Sequence, residues 1–182
     1  MANIVTPECR LSFVRVREPG ETPSGALKYS VQMIWDKKDD GLKKLADAVK
    51  KAAIGKFDEK IFVNGWPHKV LMNPLRDGEE ERPGNSDYVG KVFSTAKSDY
   101  QPGVVIQNEG KIVPLVDWDA LYSGCYARVS ISVYAYDKSG NKGVAFGLNN
   151  IMKTHDGDRL DGRKSAGEDF AEYGEFDEDI PF

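Results

Sequence analysis

Along residues 27–35 apolar and polar side chains alternate, with Leu27, Tyr29, Val31, Met33 and Trp35 on one side of an extended chain and Lys28, Ser30, Gln32 and Ile34 on the other. A period of two predicts a β-strand with one buried face. Residues 10–16, RLSFVRV, are β-branched and aromatic and run into EPGETPSG, which predicts a strand leaving into a loop. The longest alternation covers residues 125–137 and resumes at 142–153 after Ser139, Gly140 and Asn141. Two such runs joined by a short glycine-containing turn predict a hairpin. Shorter strands are predicted within 88–98 and at VVIQ, before a turn at 108–110.

After Asp39 and Asp40 the period changes. Leu42, Leu45, Ala46, Val49, Ala52, Ala53 and Phe57 recur at intervals of three and four, which predicts an amphipathic helix with the two aspartates placed to cap its start. Lys43, Lys44, Lys50 and Lys51 occupy its other side, a charged face of the kind that is ordinarily just solvated. Residues 64–87 are dominated by Pro, Gly and charge and predict a long irregular connection. DWDALY, 117–122, is at most a helical turn, with Asp117 and Asp119 as caps and not as an acid and base pair.

Several strands, one substantial helix and long connections within residues 1–155 predict a mainly β fold, an OB-fold-like barrel with an inserted amphipathic helix. A β-sandwich fits the same pattern. From Thr154 onward the chain is charged and Gly-rich with isolated aromatics, a composition that cannot bury enough surface to fold alone. This divides the chain into a barrel domain, 1–155, and a flexible acidic C-terminal tail, 156–182.

Charge sharpens that division. The net charge of −4 is segregated, because residues 168–182 hold seven acids and no Lys or Arg, while residues 1–167 hold 25 basic and 22 acidic residues. A mildly basic body with a strongly acidic tail suggests a protein that binds a polyanion and carries a competing polyanion of its own. No apolar stretch approaches the roughly 20 residues of a membrane helix. The start MANIVTPECR lacks a secretory pattern, so a cytoplasmic location is expected. Cys9 and Cys125 are expected as free, partly buried thiols. His68 and His155 stand singly, without the short spacings of zinc sites, and no phosphate-cradling loop, HExxH or nucleophile elbow occurs. Neither enzyme activity nor a cofactor nor a metal is expected.

Two strand faces are candidates for a nucleic-acid surface. In 125–137 one face is apolar, and the other carries Tyr126, Arg128, Ser130, Ser132, Tyr134 and Tyr136. Flat rings beside a guanidinium suit unstacked bases and phosphates, at about 1–3 kcal/mol per stacked base. Equally, such tyrosines can cover sheet edges or pack under a helix. The second face, Lys91, Phe93, Thr95 and Lys97, again sets an aromatic between lysines, and Arg15 and Arg17 add cations on the first strand. Trp35, Trp66 and Trp118 are expected to pack.

The chain ends in Asp177, Glu178, Asp179, Ile180, Pro181 and Phe182. A terminal Phe offers a ring and a free carboxylate together, so a basic-rimmed apolar pocket can hold both while the acids meet neighbouring Lys or Arg. DEDIPF resembles the acidic tip of bacterial single-stranded-DNA-binding proteins. The body, through NPLRDGEEERPGNSDYVGKVFSTAKS, YSGCYARVSISVYAYD and NKGVAFGLNNIMK followed by GDRLDGR, resembles the phage-encoded, T7-type single-stranded-DNA-binding proteins, which have an OB barrel and an acidic tail ending in an aromatic. The resemblance implies single-stranded DNA as ligand and replication or recombination proteins as partners of the six tip residues. Whether the chain is a monomer or a homodimer stays open. The rival from another class is a protein-interaction adaptor without DNA binding; a nuclease would need a metal cluster that the sequence does not supply.

Overall fold

The computed structural model describes residues 2–164 and 166–175. Its strands are β1 (Ala2–Val5), β2 (Cys9–Glu21), β3 (Leu27–Asp36), β4 (Arg76–Asp77), β5 (Lys91–Ser98), β6 (Gly103–Asn108), β7 (Lys111–Pro114), β8 (Tyr126–Lys138) and β9 (Asn141–His155). The helices are α1 (Gly41–Ile54), α2 (Gly78–Glu81) and α3 (Ala166–Asp169).

Five strands close on themselves. β2 pairs with β3, β3 with β5, β5 in parallel with β9, β9 with β8, and β8 back with β2. This closed circuit, with one parallel pair among antiparallel ones, is the OB-like barrel, and closure is what a sandwich lacks. The alternation read from the sequence determines its filling. Val31, Met33 and Trp35 of β3 and Ala127, Val129, Ile131 and Val133 of β8 all point inward and are buried. α1 lays Leu45, Val49 and Ala53 into the same core. A fully buried aliphatic side chain of this size contributes about 1.5–3 kcal/mol, so barrel closure and helix docking stabilise one another. Trp35, Trp66 and Trp118 pack as expected, Trp35 buried with its indole N–H on the Pro7 carbonyl at 3.2 Å.

Some local expectations shift. The helix stops at Ile54, before Phe57, and its N-terminal bond is made by Asp39, whose Oδ1 accepts from Gly41 N at 2.8 Å, while Asp40 makes no side-chain cap. Asp117 does cap its turn, accepting from Asp119 N.

The connection between α1 and β5 is largely irregular but packed. Leu71 is buried, Trp66 donates to its carbonyl at 2.9 Å, and Met72 bridges to Gly143 of β9. β4 then pairs with β5, and α2 is capped by Asp77. Lys37, at the end of β3, clamps this segment through Asp77 at 2.8 Å and Glu79 at 2.7 Å. The Lys37 hydrogen bond holds the Asp77 carboxyl below the usual carboxylate range, and both acids raise the Lys37 ammonium above its own.

Beyond the barrel, β1 borders β8, while β6 and β7 extend the sheet from β9, with β7 its last strand among the described residues. Past β9 the chain folds back. Asp156 Oδ1 accepts from Lys153 Nζ at 2.6 Å and Tyr122 O–H at 2.9 Å. Leu160 N donates to the Ser123 carbonyl at 2.8 Å, Arg10 reaches the Asp158 carbonyl at 2.6 Å, and the Leu160 side chain packs on the Ile34, Tyr88 and Phe93 cluster.

Candidate nucleic-acid interface

Where β3 turns Val31 and Met33 into the core, it must turn Lys28, Ser30 and Gln32 out. The register sets Ser30 between Arg15 of β2 and Lys97 of β5, and Gln32 beside Thr95. These side chains line an open groove of about 250 Å³ on the outer face of β2, β3 and β5, completed by Phe13, Gly20 and Arg82. Glu21 stands at its rim. Lys28 pairs with Asp99, whereas Arg15, Arg82 and Lys97 form no ion pair among the described residues. Three cations without partners on one concave face attract a polyanion. Gly20 makes room for one of them, since a Cβ there would lie 2.5 Å from the Arg15 guanidinium.

Phe13 is the least ordinary residue on this face. Its φ is +46°, in the left-handed region that side chains avoid, and its ring is 54% exposed. The β2 register slips between Ser12 and Arg15, so Phe13 sits on a bulge that swings it out of the core. Such backbone costs of order 1–3 kcal/mol and persists where the surroundings enforce it. The Arg82 guanidinium lies over three rings, 5.7 Å from Phe13, 5.1 Å from Tyr88 and 5.2 Å from Phe93. Tyr88 in turn donates its hydroxyl to Gln32 Oε1. After β5, Gln101 donates to the Val16 and Arg17 carbonyls, both at 3.1 Å, and ties the loop that carries the exposed Tyr100 to β2.

The structure divides the sequence candidates. Arg15 and Lys97 come together in the groove, with Arg17 exposed farther along β2. Lys91 lies on the same face, 3.4 Å from Asp36. Phe93 is on that face too but fully buried beneath Tyr88, Arg82 and Arg76, so its ring supports the groove from below. The β8 stripe has other surroundings. Tyr126 stacks on His155 at 4.4 Å, Arg128 lines a cleft with Glu8, Asp39 and Lys44, Ser132 is buried against Asn3 and Asn149, Tyr134 borders α1, and Tyr136 is half-buried opposite Gly143. Asp177, Glu178, Asp179, Ile180, Pro181 and Phe182 lie outside the described residues. Phe13, Lys28, Arg82 and Tyr100 were not among the sequence candidates. Phe13 did leave a trace, since inward positions switch from odd at Leu11 to even at Val14 and Val16, the mark of one inserted residue.

Among the described residues no cluster of His, Cys, Asp or Glu could hold a metal ion. No helix is long and apolar enough to cross a membrane. Cys9 and Cys125 are free and buried, and burial pushes both thiols up, away from the reactive thiolate.

A family model described as "Enterobacter phage Enc34, ssDNA-binding protein" matches residues 2–181. A relative from Acyrthosiphon pisum secondary endosymbiont phage 1, described as putative protein p50, is 31% identical over 164 residues, 84% of this chain and 83% of its own length. In fold, the chain is similar to the single-stranded DNA-binding protein from bacteriophage Enc34 in complex with ssDNA, with a TM-score of 0.68 at 21% identity over 87% of this chain and 89% of that one. It is also similar to gp2.5, a single-stranded DNA binding protein encoded by bacteriophage T7, with a TM-score of 0.62 at 15% identity over 100% and 98% of the two chains.

Proposed function

This chain belongs to the Enterobacter phage Enc34 ssDNA-binding protein family, and on that premise we propose that it binds single-stranded DNA along the outer face of β2, β3 and β5. The observation that carries this reading is the trio of Arg15, Arg82 and Lys97, without ion-pair partners, around the exposed ring of Phe13. The cations take phosphates, while Phe13 and Tyr100 offer faces on which any base can stack. Nothing in a shallow groove of this kind reads base edges, so binding is indifferent to sequence. Lys28 and Arg17 extend the phosphate path, Lys91 borders it, and Phe93 holds the floor. The protein acts as a binder and protector of the strand, not as a catalyst.

Oligo(dT) titrations over a range of salt test the phosphate contacts. Arg15→Gln and Lys97→Gln should each lower the slope of log affinity against log salt by about 0.7, the value for one phosphate released from a single strand. Two unchanged slopes, or tighter binding to duplex than to oligo(dT), would overturn this reading.

The acidic tail competes for the same face. Its root is bonded to Arg10 and packs beside Phe93, so the seven acids of 168–182 follow from a point at the edge of the groove. Removing 168–182 should therefore raise oligo(dT) affinity several-fold at low salt, with the gain fading as the Debye length shrinks toward about 3 Å in molar salt. Equal affinities at low salt would refute the competition. The tip, Asp177 to Phe182, recruits replication or recombination proteins. Deleting Phe182 alone removes the ring but keeps all seven acids, so it should abolish capture of such partners while oligo(dT) binding stays as it is.

A further inference from the structure

Arg82 brings a flat face to the groove as well as a charge. It follows α2, in a segment that Lys37 holds to the barrel through Asp77 and Glu79. Its guanidinium lies 5.1 Å from the Tyr88 ring and 5.2 Å from the Phe93 ring, and these two rings are buried and meet edge to face at 5.2 Å. The Tyr88 hydroxyl is fixed on Gln32, and Leu160 packs on the same cluster. The third ring under the guanidinium differs from these. Phe13 is 54% exposed, stands on the β2 bulge, and lies 5.7 Å away. The pair therefore has one plane that is backed by packed rings and one that is carried on an irregular stretch of strand. Both line the groove, together with Ser30, Gln32 and Thr95, which are polar and uncharged.

We propose that Phe13 and Arg82 form a slot that takes one unpaired nucleobase between its two planes, and that this slot makes the groove choose single strands over duplex. The proposal rests on the reading that the groove binds DNA, and it assigns the choice of strand to two residues. A flat ring between the planes needs two stacking distances of about 3.4 Å, so the present 5.7 Å has to open by only about 1 Å. Phe13 is the side that gives, because Arg82 keeps its two buried rings. A guanidinium suits the other side. Its N–H groups point along its edge, where a phosphate binds, and leave its weakly hydrated face to a ring. Phosphates are present on single and double strands alike, so Arg15 and Lys97 attract both. The slot does not. A base in a duplex has both faces covered by its neighbours, and it must be unstacked and unpaired before it can enter.

Three ligands of equal length separate base from phosphate in the full chain: oligo(dT), a strand of abasic sites with the same phosphates, and a duplex. Arg82→Lys keeps the charge and loses the plane. It should weaken oligo(dT) binding about tenfold, within the range for one stacked base, and leave the abasic strand, the duplex and the salt slope as they are. Phe13→Gly should lower the same ratio of oligo(dT) to duplex affinity. Each ratio is taken within one variant, so any fraction unfolded by the weaker packing of residue 82 cancels. An equal loss on all three ligands would make Arg82 a phosphate contact only, and unchanged binding would remove it from the path; either overturns the slot. A ratio that falls with Phe13→Gly but not with Arg82→Lys would leave a one-sided stack and overturn it as well. Wild-type protein that holds the abasic strand as tightly as oligo(dT) would overturn the slot but keep the groove as a DNA site, whereas wild-type protein that binds none of the three would overturn the DNA reading itself.

Discussion

Replacing Phe13 by glycine should weaken oligo(dT) binding by about 1–3 kcal/mol, or roughly 5- to 150-fold, without lowering the melting temperature. Most substitutions that remove a ring cost stability, and the reverse expectation here comes from the backbone. Phe13 holds a φ of +46° on the β2 bulge, and glycine adopts that conformation without penalty. The ring is more than half exposed, so little buried area is lost, although Arg82 gives up one of its three aromatic neighbours. Phe13→Ala separates the effects, because it loses the ring but keeps the strain, and should match the glycine variant in affinity while melting lower. A Phe13→Gly protein that binds oligo(dT) normally would remove this residue from the interface; one that melts several degrees lower would show that the bulge is not strained.

Asp156→Ala should destabilise the protein by about 1 kcal/mol, because it leaves the buried Lys153 ammonium with only the Ala120 carbonyl and the Tyr122 ring, while the exposure of Asp156 to solvent screens the lost pair. For a chain of this length each kcal/mol moves the melting temperature by about 2–4 °C. The effect should depend on pH in one direction. The Lys153 hydrogen bond holds the Asp156 carboxyl below the usual carboxylate range, so its contribution is complete above the unfolded value near 3.9 and is lost as pH falls through the lower folded value. Melting curves of wild type and variant should therefore differ by a constant amount near neutrality and converge below about pH 4. A gap that persists in acid would mean that Asp156 acts through something other than its charge.

The barrel was legible in the sequence because period two survives closure. The alternating runs placed Val31, Met33 and Trp35 of β3 and Ala127, Val129, Ile131 and Val133 of β8 where the core receives them, while Leu27, at the mouth of β3, is exposed. The candidate groove was legible in part. Arg15, Lys91, Phe93 and Lys97 share the face they were expected to offer, but alternation states which side of a strand is outward, not what else covers that side. On β8 the outward side meets β1, α1 and His155, elements remote in sequence from Tyr126 and Tyr134. On β5 it meets Tyr88 and Arg82, delivered by a connection whose composition suggested only irregularity. Phe13 was hidden for the opposite reason: an apolar residue in an apolar run reads as core unless the bulge is noticed.

Among the described residues β7 is the last strand of its sheet, so one of its sides meets no other strand. An edge strand bearing the exposed Ile112 and Val113 is an invitation to wrong sheet pairing with another copy. β7 is only four residues long, it begins with the charged Lys111, and it ends with Pro114, which has no N–H to offer an incoming strand. The edge is thereby blunted against pairing with a second copy wherever copies meet at high concentration.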